Sequence, residues 1–184
     1  MTGEAAEKPE TDEPEDKKLS KDIAKLTIGE FVETFGGIYE HSPWVAEEAY
    51  AQHDTILTVK ELHTAMKAAV AAASQEKQMA LIKAHPELAC KEADAKKLTE
   101  ASTSEQKGAG LDACTPTEFA EFQKLNGAYR EKFGFPFIIA VKGLDRQKIL
   151  AAFRKRLENG VEDEFDEALE QIDRIAFFRL MALP

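Results

Sequence analysis

The chain has 184 residues, 43% hydrophobic and 32% charged, with 34 acidic against 24 basic side chains and a net charge of −10. That length suits one ordinary domain with its own core, and the acidic balance argues against a general nucleic-acid or anionic-membrane binder, which needs a basic face. No run of about 18 apolar residues marks a membrane span, the N-terminus lacks the basic-then-apolar order of a secretory signal, and the two cysteines, Cys90 and Cys114, lack zinc-type spacing and are expected as reduced thiols.

Residues 1–20 carry many acids and prolines and hardly any large apolar side chain. Such a stretch cannot bury enough surface to offset its ordering entropy, so a disordered acidic tail is expected there, with a single helical domain over 21–184. Thr27 and Glu30 form a capping-box pattern before Phe31 and Val32. Ser42-Pro43-Trp44 predicts a cap followed by proline at the first helical position. Thr58 and Glu61 repeat the box and open a helix with Val59, Leu62, Met66, Ala69 and Val70 on one stripe.

The next helix is expected over 75–84, ending at His85 because proline at 86 disfavours helical geometry in the residue before it. Thr115-Pro116-Thr117-Glu118 joins cap, proline and acid ahead of Phe119, Phe122, Leu125, Tyr129 and Phe133, with a stop at Gly134. Phe135 to Val141 is the only strand-like run; it contains a proline and has no obvious partner, so an extended buried linker is expected. Two more helices follow, from about Asp145 to Glu158 and from about Val161 to Met181. The fold class is all-α, a single domain of eight or nine helices. Short helices and redirecting prolines exclude a plain up-down bundle.

Chemistry concentrates in few places. His85 stands at a forced helix break, where it can face a cavity, and the negative helix end favours its protonated form; by itself it also reads as a C-terminal cap. Ser102 and Glu105 read as a capping box, with Gln106 beside them at a helix start whose free N–H groups could hold a polar ligand. Gly108 and Gly110 permit close backbone approach. Arg179 lies beside the apolar stripe of the last helix and needs a planar acceptor, either a ligand or an internal acid. Phe135-Pro136-Phe137 reads as a hydrophobic wall. These local features leave function open.

Taken together and in order, five stretches resemble the family of 2-oxo-4-hydroxy-4-carboxy-5-ureidoimidazoline decarboxylases, which act in oxidative urate breakdown. They are Phe35-Gly36-Gly37-Ile38-Tyr39-Glu40-His41-Ser42-Pro43-Trp44-Val45; His85-Pro86-Glu87-Leu88-Ala89; Ser102-x-x-Glu105-Gln106-x-x-Ala109-Gly110-Leu111; Asn126-x-x-Tyr129-x-x-Lys132-Phe133-Gly134-Phe135-Pro136-Phe137-Ile138; and Arg179-Leu180. The resemblance implies a fold peculiar to that family, a homodimer, no cofactor, and (S)-allantoin as product. It implies His85 and Glu105 as catalytic residues, Pro86, Ser102, Gln106 and Arg179 as substrate-binding positions, and the backbone of Phe137, Ile138 and Ile139 as the remaining wall.

The partner implied is a small ureide, with neither nucleic acid nor membrane. No metal is expected, because His85 and Glu105 have no third ligand at recognisable spacing. The C-terminal Ala182-Leu183-Pro184 is not a peroxisomal Ser-Lys-Leu, which favours a cytoplasmic enzyme. An imidazole titrating near pH 6.5 suits proton transfer. Glu105 would either orient His85 or accept substrate N–H groups, with Arg179 or Gln106 on carbonyl oxygens. Two rivals stand beside this reading: a non-catalytic helical interaction module, and a hydrolase of a related ureide.

Overall fold

Reciprocal side-chain caps fix three of the helix starts. Thr27, Thr58 and Thr115 each accept a backbone N–H three residues on, while Glu30, Glu61 and Glu118 reach back to the cap N–H, satisfying donors that a first turn leaves free. They open α1 (Ile28–Phe35), α3 (Val59–Ala72) and α6 (Pro116–Phe133). The protein is seen here in a computed structural model that describes residues 16–19, 22–88 and 99–184. Ser74 and Asp145 cap α4 (Gln75–Ala84) and α7 (Arg146–Arg156). Pro43, rather than Ser42, occupies the cap position of α2 (Trp44–Ala49).

Thr99 caps α5 (Glu100–Gly108), and three acids in the first turn complement the dipole of α8 (Val161–Ala182). Eight α-helices and no strand are found among the described residues, in line with the all-α expectation. No helix among them is long and apolar enough to cross a membrane.

The 22 residues of α8 span about 33 Å and form the axis of the core. Phe165, Ala168, Ile172, Ala176 and Leu180 recur every three or four residues on its buried stripe, and α3, α4 and α6 pack against it. α2 joins α1 to α3, and α7 lies on α6.

Beyond Gly134, whose φ of 76° stops α6, Phe135 to Val141 runs extended through the core. It is not a strand, as expected, and side chains replace the missing strand partner. Arg156 Nη1 donates to the Ile138 carbonyl at 2.6 Å, and the Ala140 N–H donates to Gln171 Oε1 at 3.0 Å. Phe137 stacks on Phe153 at 3.8 Å, meets Tyr129 edge-on at 5.3 Å, and lies 4.6 Å from the Arg156 guanidinium.

Two expectations need revision. Asp16 to Leu19, assigned by composition to the tail, instead run antiparallel to the start of α3: Val59 N donates to Lys17 O at 2.8 Å and Leu19 N to Leu57 O at 3.2 Å. Lys17 Nζ also binds the Leu183 carbonyl, capping the end of α8. The earlier residues of the expected tail lie outside the described residues. Cys114 stands in a disulfide, where a reduced thiol was expected, because cysteine number says nothing of which thiols the fold brings together. Cys90 lies outside the described residues.

The extended segment hangs on a buried charge pair. Glu164 is fully buried and receives Arg156, Tyr129 and Asn159. Removing its carboxylate in Glu164→Ala strands Arg156 as a buried cation, so urea denaturation should show a loss of about 3–5 kcal/mol; a loss below about 1 kcal/mol would mean that water reaches the guanidinium.

Candidate active site

Pro86 ends α4, and His85 takes extended geometry at its cap (φ −74°, ψ 139°). Its Nδ1 lies 2.9 Å from the Leu81 carbonyl. A carbonyl only accepts, so Nδ1 carries the proton and Nε2, on the opposite ring edge, carries the lone pair. The ring is buried. Burial pushes the His85 pKa down to about 4; the Leu81 bond and the charge of Glu40 oppose the shift, and Arg179 and His41 assist it. The expectation that the helix end would favour imidazolium is therefore overturned: desolvation outweighs the dipole.

The loop after His85 is pinned from two helices. Gln106 Nε2 donates to Glu87 O at 3.2 Å, Asn126 Nδ2 donates to Leu88 O at 3.0 Å, and Arg130 pairs with Glu87 at 2.7 Å. Ser102 and Glu105 do not form a capping box. Thr99 is the N-cap, accepting from Ser102 N without a reciprocal bond, so Ser102, Glu105 and Gln106 lie within α5 on one face. Gly108 has open space around it, and Gly110, at φ 75°, is approached by the Arg146 side chain rather than by another backbone.

Arg179 enters from the last turns of α8 and all five of its N–H groups find acceptors. Nε and Nη2 grip Glu105 bidentately at 2.7 and 2.9 Å; Nη2 also meets Ser102 Oγ at 3.1 Å; Nη1 reaches Glu40 Oε2 at 2.8 Å and Ile38 O at 3.2 Å. Burial works against the Glu40 carboxylate, yet the Thr99 hydrogen bond and the Arg179 charge together hold its pKa below the ordinary value. No hydrogen bond joins His85 to Glu105 among the described residues; Leu81 orients the imidazole and Arg179 orients the carboxylate.

All nine positions singled out in the sequence line one cavity of about 30 Å³: His85, Pro86, Ser102, Glu105, Gln106, Phe137, Ile138, Ile139 and Arg179. Leu88, Val141 and Ile175 complete it. A groove of about 570 Å³ next to it shares Glu105, Val141, Ile175 and Arg179 as walls. Sequence reasoning missed Glu40. It lies inside a stretch that resembles the family, and no local pattern in the sequence pairs it with Thr99, Ser102 or Arg179, 59 or more residues away. Among the described residues, no three His, Cys, Asp or Glu side chains gather as a metal site requires.

An all-helical protein that encloses a neutral imidazole, a guanidinium and two carboxylates in this way has the equipment of an acid–base enzyme. The family profile described as OHCU decarboxylase, the short form of the name given above, matches residues 24–181. The chain belongs to the OHCU decarboxylase family. It is 44% identical over 158 residues to the 2-oxo-4-hydroxy-4-carboxy-5-ureidoimidazoline decarboxylase of Haloferax volcanii, covering 86% of this chain and 91% of that one.

With the uric acid degradation bifunctional protein of Bacillus subtilis it shares 42% identity, over 86% of this chain but 31% of that longer protein. The crystal structure of an (S)-allantoin synthase superposes with a TM-score of 0.69 at 36% identity, over 88% of this chain and 52% of that one. An OHCU decarboxylase structure determined in the presence of (S)-allantoin shares the fold, with a TM-score of 0.58 at 24% identity, over 72% of this chain and 87% of that one.

The depressed His85 pKa has a thermodynamic consequence. The unfolded chain protonates this group near 6.5 and the folded protein near 4, so between those values the unfolded state binds more protons and stability falls as pH falls. Urea denaturation should show the wild type losing about 3 kcal/mol more than His85→Asn as pH is lowered from 6.5 to 4. Carboxylates such as Glu40 add a loss common to both proteins, and identical pH dependence in the two would place the imidazole in water.

Proposed function

We propose that this protein decarboxylates 2-oxo-4-hydroxy-4-carboxy-5-ureidoimidazoline to (S)-allantoin. Membership of the family supports the reaction, and one observation carries the assignment to this site: the nine family-matching positions, from four separate parts of the chain, surround a single cavity. Loss of CO₂ leaves an electron pair on the ring carbon that also bears the hydroxyl. The neighbouring C=N of the substrate accepts that pair, so the protein's tasks are to orient the carboxylate, stabilise charge and place a proton on one face.

His85 meets the substrate uncharged, with Nε2 as acceptor. In our reading it takes the hydroxyl proton and becomes a buried imidazolium, a far stronger acid than a solvated one. It then returns that proton to the adjacent ureido-bearing ring carbon as the C–OH becomes C=O. The ring nitrogen that received the pair takes one proton from solvent, so that the carboxylate and one proton become CO₂ and allantoin. Glu105, one turn along from Ser102, accepts substrate N–H groups, and the Arg179 fork serves carboxylate or carbonyl oxygens. Pro86 and the Phe137–Ile139 backbone form the walls that hold the ring.

The 30 Å³ inner cavity holds only part of such a substrate, so the rest extends across its border into the outer groove. A homodimer in the cytoplasm is the setting we propose; light scattering of the purified protein and fractionation of the cells that make it test those two points.

Freshly generated substrate should yield CO₂ and circular dichroism from optically active product. Carbon dioxide evolution without optical activity, or water addition without CO₂, would remove the assignment. His85→Asn should keep the fold and lower kcat by about 10² to 10⁴; near-normal turnover in a folded variant would take the imidazole out of the chemistry.

A further inference from the structure

Glu40 is more deeply buried than any other carboxylate at the site, 1% exposed, whereas the Glu105 side chain is 30% exposed. It sits in the turn between α1 and α2, just before His41, whose φ of 46° bends the backbone into the left-handed region. Three side-chain donors converge on it: Thr99 Oγ1 at 2.7 Å on one oxygen, and Ser102 Oγ at 3.1 Å and Arg179 Nη1 at 2.8 Å on the other. Glu105 is held by Arg179 alone among the described side chains.

The two carboxylates occupy different edges of one guanidinium. Glu105 takes the Nε and Nη2 edge, the planar fork that binds a carboxylate bidentately. A substrate carboxylate, or a pair of carbonyl oxygens, would need that same edge. A ring that extends from the inner cavity into the outer groove passes Glu105 and Arg179, the charged side chains on the wall between them. Arg179 is anchored by Glu40, Ile38 O and Ser102 besides Glu105. Glu105 has the one anchor and the greater exposure, so it is the group that lets go.

We propose that Glu40 is a positioning residue for the decarboxylation: it is the permanent counter-ion that holds Arg179 in place while Glu105 exchanges the guanidinium fork for substrate. The proposal rests on the decarboxylase reading above. Without Glu40, release of Glu105 would strand a nearly buried guanidinium, a costly state. With Glu40 in place the cation stays paired at every stage. Its charge also keeps Arg179 from gripping the substrate carboxylate so tightly that the ground state is stabilised more than the transition state, in which that charge is leaving.

Wild-type enzyme is assayed first for CO₂ and optically active product; failure at that step removes the reaction and says nothing about Glu40. Glu40→Gln then keeps the shape and removes the charge. The expected result is a folded protein with kcat lowered about tenfold or more and KM unchanged or lower. Disordering of the site would raise KM instead.

The charged and titratable groups around Glu40 are Arg179 on α8, Glu105 on α5, His85 at the end of α4 and neighbouring His41. Loss of the Glu40 charge from this set should move the acid limb of kcat/KM to lower pH, because His85 becomes harder to protonate. A folded Glu40→Gln variant with kcat within about twofold of wild type and an unmoved acid limb overturns the proposal, as does a rise in KM with kcat untouched. Should that variant fail to fold, Thr99→Val loosens the same carboxylate while keeping its charge. A fall in kcat of about threefold at constant KM then supports the proposal, and no change overturns it.

Discussion

The guanidinium of Arg179 is the point on which the site's geometry depends. Its five donors reach the α1–α2 turn through Ile38 O and Glu40 and reach α5 through Ser102 and Glu105, so one planar group registers three separate stretches of chain. Such an arrangement is costly to desolvate and earns little stability over an apolar packing of equal volume. Its value is directional: a fork with fixed edges selects one arrangement of helices and holds Glu105 on one edge and Glu40 on another. The surrounding Val141, Ile175 and Phe137 keep the local dielectric low, which strengthens each of these contacts.

A second buried pair does comparable work for the opposite wall. Arg156 of α7, paired with Glu164 in the first turn of α8, donates to the Ile138 carbonyl, while Gln171, two turns further along α8, receives the Ala140 N–H. An extended segment without a strand partner would leave buried backbone groups unsatisfied. Here polar side chains on neighbouring helices supply the partners, and the segment can present its backbone to the cavity. α8 thus carries both devices, Glu164 at its start and Arg179 near its end, and its apolar stripe fixes the distance between them.

Much of the fold was legible. Thr27–Glu30, Thr58–Glu61 and Thr115–Glu118 mark helix starts because a short hydroxyl and a longer carboxylate, three residues apart, satisfy the same exposed N–H groups in any protein. Pro86 and Gly134 mark helix ends through backbone sterics alone. The same local reasoning misassigned α5. Ser102 and Glu105 satisfy the capping pattern as well as Thr99 does, and only the docking of Ser102 and Thr99 against Glu40 separates the two registers.

The sequence by itself settled the helical periodicity and the break that puts His85 at a helix end, and its ordered motifs picked out nine positions that the fold brings around one cavity. Those are consequences of local sterics, hydrogen-bond geometry and family likeness. Tertiary structure alone decided the charge state of His85, the pairing of Arg179 with Glu40 and Glu105, the antiparallel docking of Lys17 beside Val59, and the bonded state of Cys114. Each depends on what distant residues place nearby: desolvation, ion pairing and bond formation act through space, over separations along the chain that no local pattern records.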